Sequence, residues 1–276
     1  MTSRDFSRLA RFIHGECGIK VTDAKKPMLE ARLQKRLRKL GLNSFSRYCD
    51  YLFSPRGMEE ELSFMINEVS TNKTDFFREP NHFHILVESV LPSLMSTRGS
   101  GTRKRLTVWS AGCSSGEEPY TLAMVLKDFA ERLEGSGFAF LILATDISTS
   151  VLKKAEDAVY NEERVAPIPY EMKRKYLLRS RDKSKQEYRV APELRSLVRF
   201  RRLNFMDNNF GFREQVDIIF CRNVIIYFDK PTQEKLLTQF CRILSPGGFI
   251  FMGHSETLFG MDVPLVSVAP TVYKKI

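Results

Sequence analysis

Apolar positions recur at helical spacing through the first part of the chain. The clearest case is Met28–Leu40, where leucines at every third or fourth position form one stripe and basic residues cover the other faces. Such a stripe is typical of a helix that buries one side. Shorter stretches with the same spacing lie on either side of it. The pattern predicts a small all-helical N-terminal domain over residues 1–68.

From residue 106 onward, short apolar runs alternate with longer amphipathic stretches. The runs predict strands at Leu106–Ser110, Phe138–Thr145, Val198–Asn204, Val216–Cys221 and Gly248–Met252. The amphipathic stretches predict helices at Glu117–Leu133, Ser148–Ala158 and Thr232–Leu244. This alternation favours an α/β fold with helices on both faces of a mostly parallel, Rossmann-like sheet. The runs FIFMGHSE and VSVAPTVYKKI predict two closing strands, and a closing antiparallel pairing on such a sheet is typical of methyltransferases.

Two segments interrupt these patterns. Residues 69–82 include the run STNKTDFFREP, which is polar and aromatic without a clean period, and we interpret it as a linker between two domains. Residues 160–197 are charged and contain three prolines, so we expect a small subdomain inserted there. The second domain is then expected to span residues 83–276.

The composition changes this picture little and indicates a folded protein. Of 276 residues, 43% are hydrophobic and 28% are charged, which suits a packed core. No apolar run approaches the roughly 20 residues of a membrane helix, and the first residues lack a signal-peptide pattern. Five scattered cysteines without a CxxC pair fit reduced thiols. We expect a soluble cytoplasmic protein without membrane insertion. We also expect no metal site, since the lone HxH of His82 and His84 has no cysteine nearby.

The charge is distributed unevenly. The formal net charge is +10, and residues 1–57 alone hold 13 Lys or Arg against 5 Asp or Glu. A basic appendage of this kind predicts an acidic partner, which is a nucleic acid, an anionic membrane face or an acidic protein.

A glycine-containing loop, Trp109–Tyr120, joins the first predicted strand to the next helix. Glycines at 112 and 116 let the backbone turn sharply and approach a ligand closely. The loop is not the GxGxxG of dinucleotide-binding folds. Glu117 and Glu118 crowd the helix N-terminus, where they repel a pyrophosphate and attract a cation such as the ammonium of a methionine moiety. The loop therefore disfavours a nicotinamide oxidoreductase, and a purely structural turn is the alternative.

Polar residues follow the ends of three further strands. Asp146 has two acceptor oxygens for the hydroxyls of a ribose, although it is also a candidate N-cap for the next helix. Asn204 and Phe205 suit an adenine edge and ring. The fourth strand ends in Arg222-Asn223, and Tyr227 follows shortly after. Because the carboxyl ends of parallel strands share one rim of a sheet, we expect these positions to converge.

These motifs resemble those of the CheR family of chemotaxis receptor methyltransferases. The resemblance spans essentially the whole chain, and NKTDFFRE and CRNVIIYF carry it most specifically. The matching segments are Asn72–Glu79, Trp109–Tyr120, Ala144–Ile147, Phe220–Asp229, Leu244–Gly248 and Gly253–Glu256. It implies an N-terminal helical domain, a class I methyltransferase domain and an inserted β-subdomain near residues 160–197.

The resemblance also implies a cofactor, a reaction and site residues. The cofactor is S-adenosyl-L-methionine, the product S-adenosyl-L-homocysteine, and the methyl acceptors are glutamate carboxylates of methyl-accepting chemotaxis receptors. The linker is expected to fold over the cofactor. By analogy the cofactor-binding residues are Asn72, Thr74, Arg78, Glu117, Asp146, Asn204, Phe205, Arg222 and Asn223. Glu118 is the alternative to Glu117. We expect Arg78 to clamp a carboxylate and Tyr227 to orient the attacking oxygen as the catalytic residues.

Partner contacts follow from the same resemblance. The basic helix Met28–Leu40 is expected to face an acidic region of the receptor, with a merely solvated face as the alternative. Some family members dock a receptor's C-terminal pentapeptide through a glycine-rich loop. The corresponding stretch Arg179–Lys185 has no glycine, which argues against such tethering. A nucleic-acid methyltransferase is an alternative function, but the fourth strand ends in CRNV and not in PP[YF], so we expect no nucleic acid. A non-catalytic cofactor-binding sensor is a further alternative.

Overall fold

The computed structural model describes residues 1–97, 105–133, 137–182 and 184–276. The N-terminal part is helical, as the apolar stripes predict. Its helices are α1 (Ser3–Cys17), α2 (Lys26–Leu40), α3 (Phe45–Leu52), α4 (Pro55–Glu60) and α5 (Leu62–Val69), with a 3-10 turn at Asp23–Lys25.

Local sequence explains where these helices begin and end. Thr2 and Asp5 form a reciprocal capping box at the start of α1, which satisfies backbone N–H groups that have no helical partner. Both α1 and α2 end at a glycine in the left-handed conformation, Gly18 (φ 71°) and Gly41 (φ 67°). The apolar stripe of α2 packs with the buried faces of α1, α3 and α5 into one core.

The polar side of α2 differs from the prediction at one position. Arg36, which the pattern places on the solvated face, is buried and donates to both carboxylate oxygens of Glu61 at 2.7 and 2.6 Å. Tyr48 donates its hydroxyl to the same carboxylate at 3.1 Å. Such a bidentate pair is a structural link between α2 and the junction of α4 with α5, where Glu61 lies. Arg36 is therefore not available to a partner.

The second part alternates strands and helices. Its helices are α6 (Asn81–Ile85), a π-helical turn at Leu86–Val90, α7 (Leu91–Thr97), α8 (Glu117–Arg132), α9 (Thr149–Asp157), α10 (Glu162–Val165), α11 (Tyr170–Tyr176), α12 (Pro192–Arg195), a 3-10 turn at Ile225–Tyr227 and α13 (Lys230–Ile243). Its strands are β1 (Leu106–Ala111), β2 (Phe140–Asp146), β3 (Val159–Asn161), β4 (Leu177–Arg179), β5 (Glu187–Val190), β6 (Val198–Arg202), β7 (Val216–Cys221), β8 (Leu244–Met252), β9 (Leu265–Ala269) and β10 (Val272–Lys275).

The main sheet has the order β6-β2-β1-β7-β8-β10-β9. The first five strands pair in parallel, and β10 runs antiparallel to both β8 and β9. This confirms a mostly parallel sheet with a final antiparallel strand. The segment VSVAPTVYKKI differs from the prediction because it forms two strands, β9 and β10. Pro270 and Thr271 (φ 56°) turn the chain between them, and proline cannot donate a hydrogen bond to a ladder.

A second sheet, β3-β5-β4, is antiparallel and belongs to the inserted segment. It lies close to the glycine loop, because Tyr160 of β3 donates its hydroxyl to the backbone oxygen of Ser115 at 2.7 Å. This is the small β-subdomain that the resemblance implies. Lys183 in the stretch Arg179–Lys185 lies outside the described residues.

Two further sequence expectations concern the whole chain. All five cysteines lie within the described residues and are buried as free thiols. Among the helices that the structure describes, none combines the length and apolar character needed to cross a membrane.

Candidate cofactor site

A cavity opens at the edge of the sheet, at the point where the strand order reverses. From β1 the chain adds β2 and then β6 on one side, and it then crosses back to place β7 on the other side of β1. The strand order therefore reverses beside β1, and ligands of open α/β sheets bind at such a point. The cavity, with the open solvent at its mouth included, has a volume of about 860 Å³. Its walls include eight of the nine predicted cofactor residues and Tyr227. They are Cys17, Ile19, Ser70, Thr71, Asn72, Lys73, Thr74, Arg78, Gly112, Ser114, Glu118, Asp146, Ile147, Leu203, Asn204, Phe205, Arg222, Asn223, Val224, Tyr227 and Phe228.

The floor of the cavity is the glycine loop after β1. Gly112 (φ 84°) and Gly116 (φ 99°) have backbone conformations that favour glycine. A Cβ at Gly112 would lie 2.6 Å from the Val224 side chain, and one at Gly116 would lie 2.8 Å from the Tyr160 hydroxyl. The two glycines therefore let the neighbouring segments approach the loop closely.

The two glutamates that follow the loop contact different residues, and only one of them lines the cavity. Glu118 lines the cavity, accepts from the Ser110 hydroxyl at 2.7 Å and pairs with Nε of Arg222 at 2.7 Å. Glu117, the residue we selected from the sequence, does not line it. Its carboxylate accepts from the Ser115 hydroxyl at 2.7 Å and pairs with Nη2 of Arg164 at 2.9 Å. The structure thus places the alternative, Glu118, at the cavity.

Arg222 organises the end of β7. Its side chain is 2% exposed, and Nη1 donates to the backbone oxygen of Arg78 at 2.6 Å. Nη1 also lies 3.3 Å from Nδ1 of His82 and 3.5 Å from the Glu79 carboxylate. Burial and the neighbouring Arg222 charge lower the pKa of His82 to about 4. The ring is therefore neutral near pH 7, and Arg222 ties the linker to the sheet.

Asp146 lies at the end of β2 with its carboxylate held by backbone. Ser114 donates its N–H to Oδ2 and Ser148 donates to Oδ1, both at 2.9 Å. Burial raises the pKa of Asp146, and these N–H groups oppose that shift. The N-cap of α9 is Ser148 and not Asp146. Each carboxylate oxygen keeps a second lone pair, which leaves Asp146 able to accept from a diol.

Asn204 and Phe205 follow β6 and line the opposite wall. The Asn204 amide nitrogen donates to the backbone oxygen of Glu16 at 2.6 Å, and its oxygen accepts from the Met206 N–H at 3.1 Å. The side chain thus joins the wall to the end of α1. Phe205 meets Trp109 edge-on and presents an aromatic surface.

The linker lies across the cavity and is anchored at several points. Ser114 donates its hydroxyl to the backbone oxygen of Asn72 at 3.0 Å, and Thr121 accepts from the Phe77 N–H at 3.2 Å. Arg78 donates to the backbone oxygen of Lys73 at 3.0 Å. Phe77 and Glu79 both have φ of 54°, an uncommon conformation for residues with a side chain. The segment that looked like a linker in the sequence is a wall of the site.

Sequence reasoning missed Glu256 as part of this site. Its buried carboxylate accepts from four backbone N–H groups, those of Gly253 at 2.6 Å and of Asn223, Val224 and Ile225 at 2.9 Å each. Asn223 is left-handed (φ 60°), and Glu256 holds it there. In the sequence, Glu256 appears only as the last residue of the segment Gly253–Glu256 that resembles the family. Nothing in its spacing shows that it reaches a loop more than 30 residues earlier.

The chemistry of these walls fits an adenosyl-sulfonium ligand. Carboxylates of Asp146 and Glu118 suit a diol and positive charge, Arg78 suits a carboxylate, and Phe205 suits a base. A parallel sheet with a final antiparallel strand and this site define a class I methyltransferase.

Comparison with known proteins identifies the family. The family model described as the CheR methyltransferase SAM binding domain matches residues 72–273. The model of the CheR methyltransferase all-alpha domain matches residues 4–70. The chain therefore belongs to the CheR methyltransferase family, and S-adenosylmethionine is its cofactor. It is an enzyme that carries out S-adenosylmethionine-dependent methylation in chemotaxis.

Relatives cover nearly the full length. A chemotaxis protein methyltransferase of Borreliella burgdorferi is 39% identical over 275 residues, covering 100% of this chain and 95% of the relative. Chemotaxis protein methyltransferase 2 of Pseudomonas aeruginosa is 37% identical, covering 99% and 93%. The chemotaxis protein methyltransferase of Escherichia coli is 36% identical, covering 99% and 91%. These matches confirm the resemblance and do not favour a nucleic-acid methyltransferase or a non-catalytic sensor.

Proposed function

We propose that this enzyme methylates glutamate side-chain carboxylates on the cytoplasmic domain of methyl-accepting chemotaxis receptors, giving glutamyl methyl esters for sensory adaptation. The observation that most directly supports this proposal is that linker residues and residues at the strand ends line one cavity. The relatives are chemotaxis methyltransferases, which supports receptors as substrates. We accordingly place the enzyme in the cytoplasm, with domains at 1–68 and 83–276 and a cofactor-contacting linker at 69–82.

We assign the cofactor contacts by position in the cavity. The assigned residues are Asn72, Thr74, Arg78, Glu118, Asp146, Asn204, Phe205, Arg222 and Asn223. Glu118 replaces Glu117, because Glu117 faces Arg164 and not the cavity. Asn204 contributes backbone groups, since its amide is engaged by Glu16 and Met206.

The reaction needs no general base. When bound, the cofactor supplies an electrophilic methyl group on a sulfonium. A glutamate carboxylate has a reference pKa near 4.3, so the acceptor is already ionised at neutral pH. The protein's task is then to orient the acceptor and exclude water. Arg78 and Tyr227 line the cavity and are suited to hold a carboxylate and to direct its attacking oxygen.

A receptor labelling experiment tests the proposed acceptor. Incubation with S-adenosylmethionine carrying a labelled methyl group is expected to label receptor fragments with base-labile label, because a glutamyl ester hydrolyses in base. DNA and RNA are expected to stay unlabelled. A receptor fragment without its last five residues is expected to be labelled equally, since Arg179–Lys185 contains no glycine. Base-stable label on the receptor would contradict esterification.

Replacing Arg78 with alanine is expected to lower the methylation rate by about 100-fold, the typical effect of removing one oriented donor from an active site. Steady-state assays at saturating cofactor measure this rate. Thermal unfolding of the same variant should stay close to wild type, because Arg78 is partly exposed and its guanidinium donates to the backbone oxygen of Lys73 in the same linker. A folded Arg78→Ala enzyme with the full rate would remove Arg78 from the mechanism.

We propose that the exposed face of α2 meets an acidic region of the receptor. Arg38 and Lys39 are exposed, whereas Arg36 is committed to Glu61. Reversing Arg38 and Lys39 to Glu is expected to slow association at low salt by about 10-fold or more and to flatten its salt dependence. Stopped-flow association with receptor fragments measures this.

A matched reversal separates local contact from net charge. Lys235 and Arg242 on α13 are also exposed. Reversing both to Glu changes the net charge by the same amount and should slow association much less. An unchanged rate for the α2 variant at low salt would show that this helix face is simply solvated.

A further inference from the structure

The β-subdomain holds an arginine that contacts both the linker and the start of α8. Arg164 lies in α10, and α10 is capped by Asn161, whose side chain accepts from the Arg164 N–H at 3.0 Å. The guanidinium is not among the cavity-lining groups within the described part of the chain. Of the residues it contacts, Thr74 lines the cavity, and Glu117 follows the glycine loop that forms the cavity floor.

One side of the Arg164 guanidinium meets the start of α8. Nη2 lies 2.9 Å from a carboxylate oxygen of Glu117, whose side chain is only 1% exposed. Burial raises the pKa of Glu117, while the Ser115 hydroxyl and the Arg164 charge oppose that shift. An ionised carboxylate at this depth needs a partner, and Arg164 is that partner.

The other side of the guanidinium meets the linker. Nη1 donates to the backbone oxygen of Thr74 at 2.8 Å and lies 3.3 Å from a carboxylate oxygen of Asp75. Thr74 lines the cavity, and Phe76, two residues later, packs edge-on against Tyr160 of β3. The linker is therefore fixed from the β-subdomain as well as from the sheet.

We propose that Arg164 is a positioning residue for the methyl-transfer reaction, which holds the linker at Thr74 against the Glu117 end of the cofactor loop. The inference rests on the proposed function only in that the cavity binds the cofactor. It gives the buried Glu117 a role other than the cofactor contact expected from the sequence. It also makes the β-subdomain a support of the cofactor site, since one side chain links that subdomain to the linker and to the start of α8.

The test uses the full-length enzyme with Arg164→Met, which keeps a long apolar side chain and removes all of these donors. We expect S-adenosylhomocysteine to bind between about 10- and 100-fold more weakly by calorimetry, because a displaced linker misplaces Thr74. Without ligand, we expect trypsin to cut faster after the exposed Lys73. Arg174→Met is the matched control, since Arg174 lies in the same subdomain and is 66% exposed. It makes a 3.8 Å ion pair to Glu171 and lies 5.9 Å from the centroid of the exposed Tyr170 ring.

A second variant separates positioning from simple charge neutralisation. Arg164→Met combined with Glu117→Gln removes the unpaired buried charge, so we expect the melting temperature to recover. We expect the weaker binding and faster cleavage to persist, because the Thr74 contact is still missing. Recovery of wild-type binding in the double variant, or wild-type binding in the single variant, would overturn the proposal. Binding of S-adenosylhomocysteine needs no acceptor, so failure to methylate receptor glutamates would overturn the proposed function alone.

Discussion

Replacing Arg222 with methionine is expected to abolish measurable cofactor binding and to lower the free energy of unfolding by about 3–5 kcal/mol, the usual cost of breaking a buried ion pair from one side. The guanidinium pairs with Glu118 at 2.7 Å and donates to the backbone oxygen of Arg78 at 2.6 Å. Without it, Glu118 keeps a buried charge and the linker loses its anchor on β7. Urea unfolding and calorimetry with S-adenosylhomocysteine measure the two effects.

Two further variants make this prediction specific. Arg222→Met with Glu118→Gln should regain much of the lost stability, because no unpaired charge remains, but should not regain binding. Arg242→Met, at an exposed position of α13, should change the free energy of unfolding by less than about 0.5 kcal/mol. If Arg222→Met unfolds at the wild-type urea concentration, the Arg222–Glu118 pair does not stabilise the fold.

The central strands β1 and β7 were predictable because they are buried on both faces. Strands β1 and β7 appear in the sequence as short apolar runs bounded by polar residues, and their observed ends agree with the predicted ones to within one residue. Pattern reasoning failed where a side chain's partner is distant. It assigned Arg36 to the solvated face, but Glu61, 25 residues later, supplies a buried acceptor.

The sequence could predict which residues lie together at the site only where the strand topology alone brings them together. Asp146 ends β2 and Arg222 follows β7, the two strands on either side of β1, so a parallel sheet brings them to one rim. The choice between Glu117 and Glu118 was not predictable, because adjacent residues on a helix point about 100° apart. The rotation of α8 decides between them, and that rotation follows from tertiary packing. Glu118 meets Ser110 and Arg222, whereas Glu117 meets Arg164.

Replacing Glu256 with glutamine is expected to lower the free energy of unfolding by about 2–5 kcal/mol and to reduce kcat/KM for methylation by about 100-fold. The glutamine oxygen can still accept from two of the four N–H groups, but its amide nitrogen then faces the other two. Each backbone N–H left buried without an acceptor costs about 1–3 kcal/mol. The loop that carries Asn223 would shift as a result, and even a small misplacement of a cofactor residue is costly. Chemical unfolding and initial-rate assays measure these effects.

The space around Glu256 leaves little room for compensation. A Cβ at Gly253 would lie 2.9 Å from the Glu256 carboxylate and 2.8 Å from the Asn223 backbone nitrogen, so the loop cannot move inward. Glu234→Gln on the exposed side of α13 is the control, and it should change neither quantity appreciably. A Glu256→Gln enzyme of normal stability and reduced rate would indicate a direct role in the reaction. Normal stability with a normal rate would show that the loop holds its shape without this carboxylate.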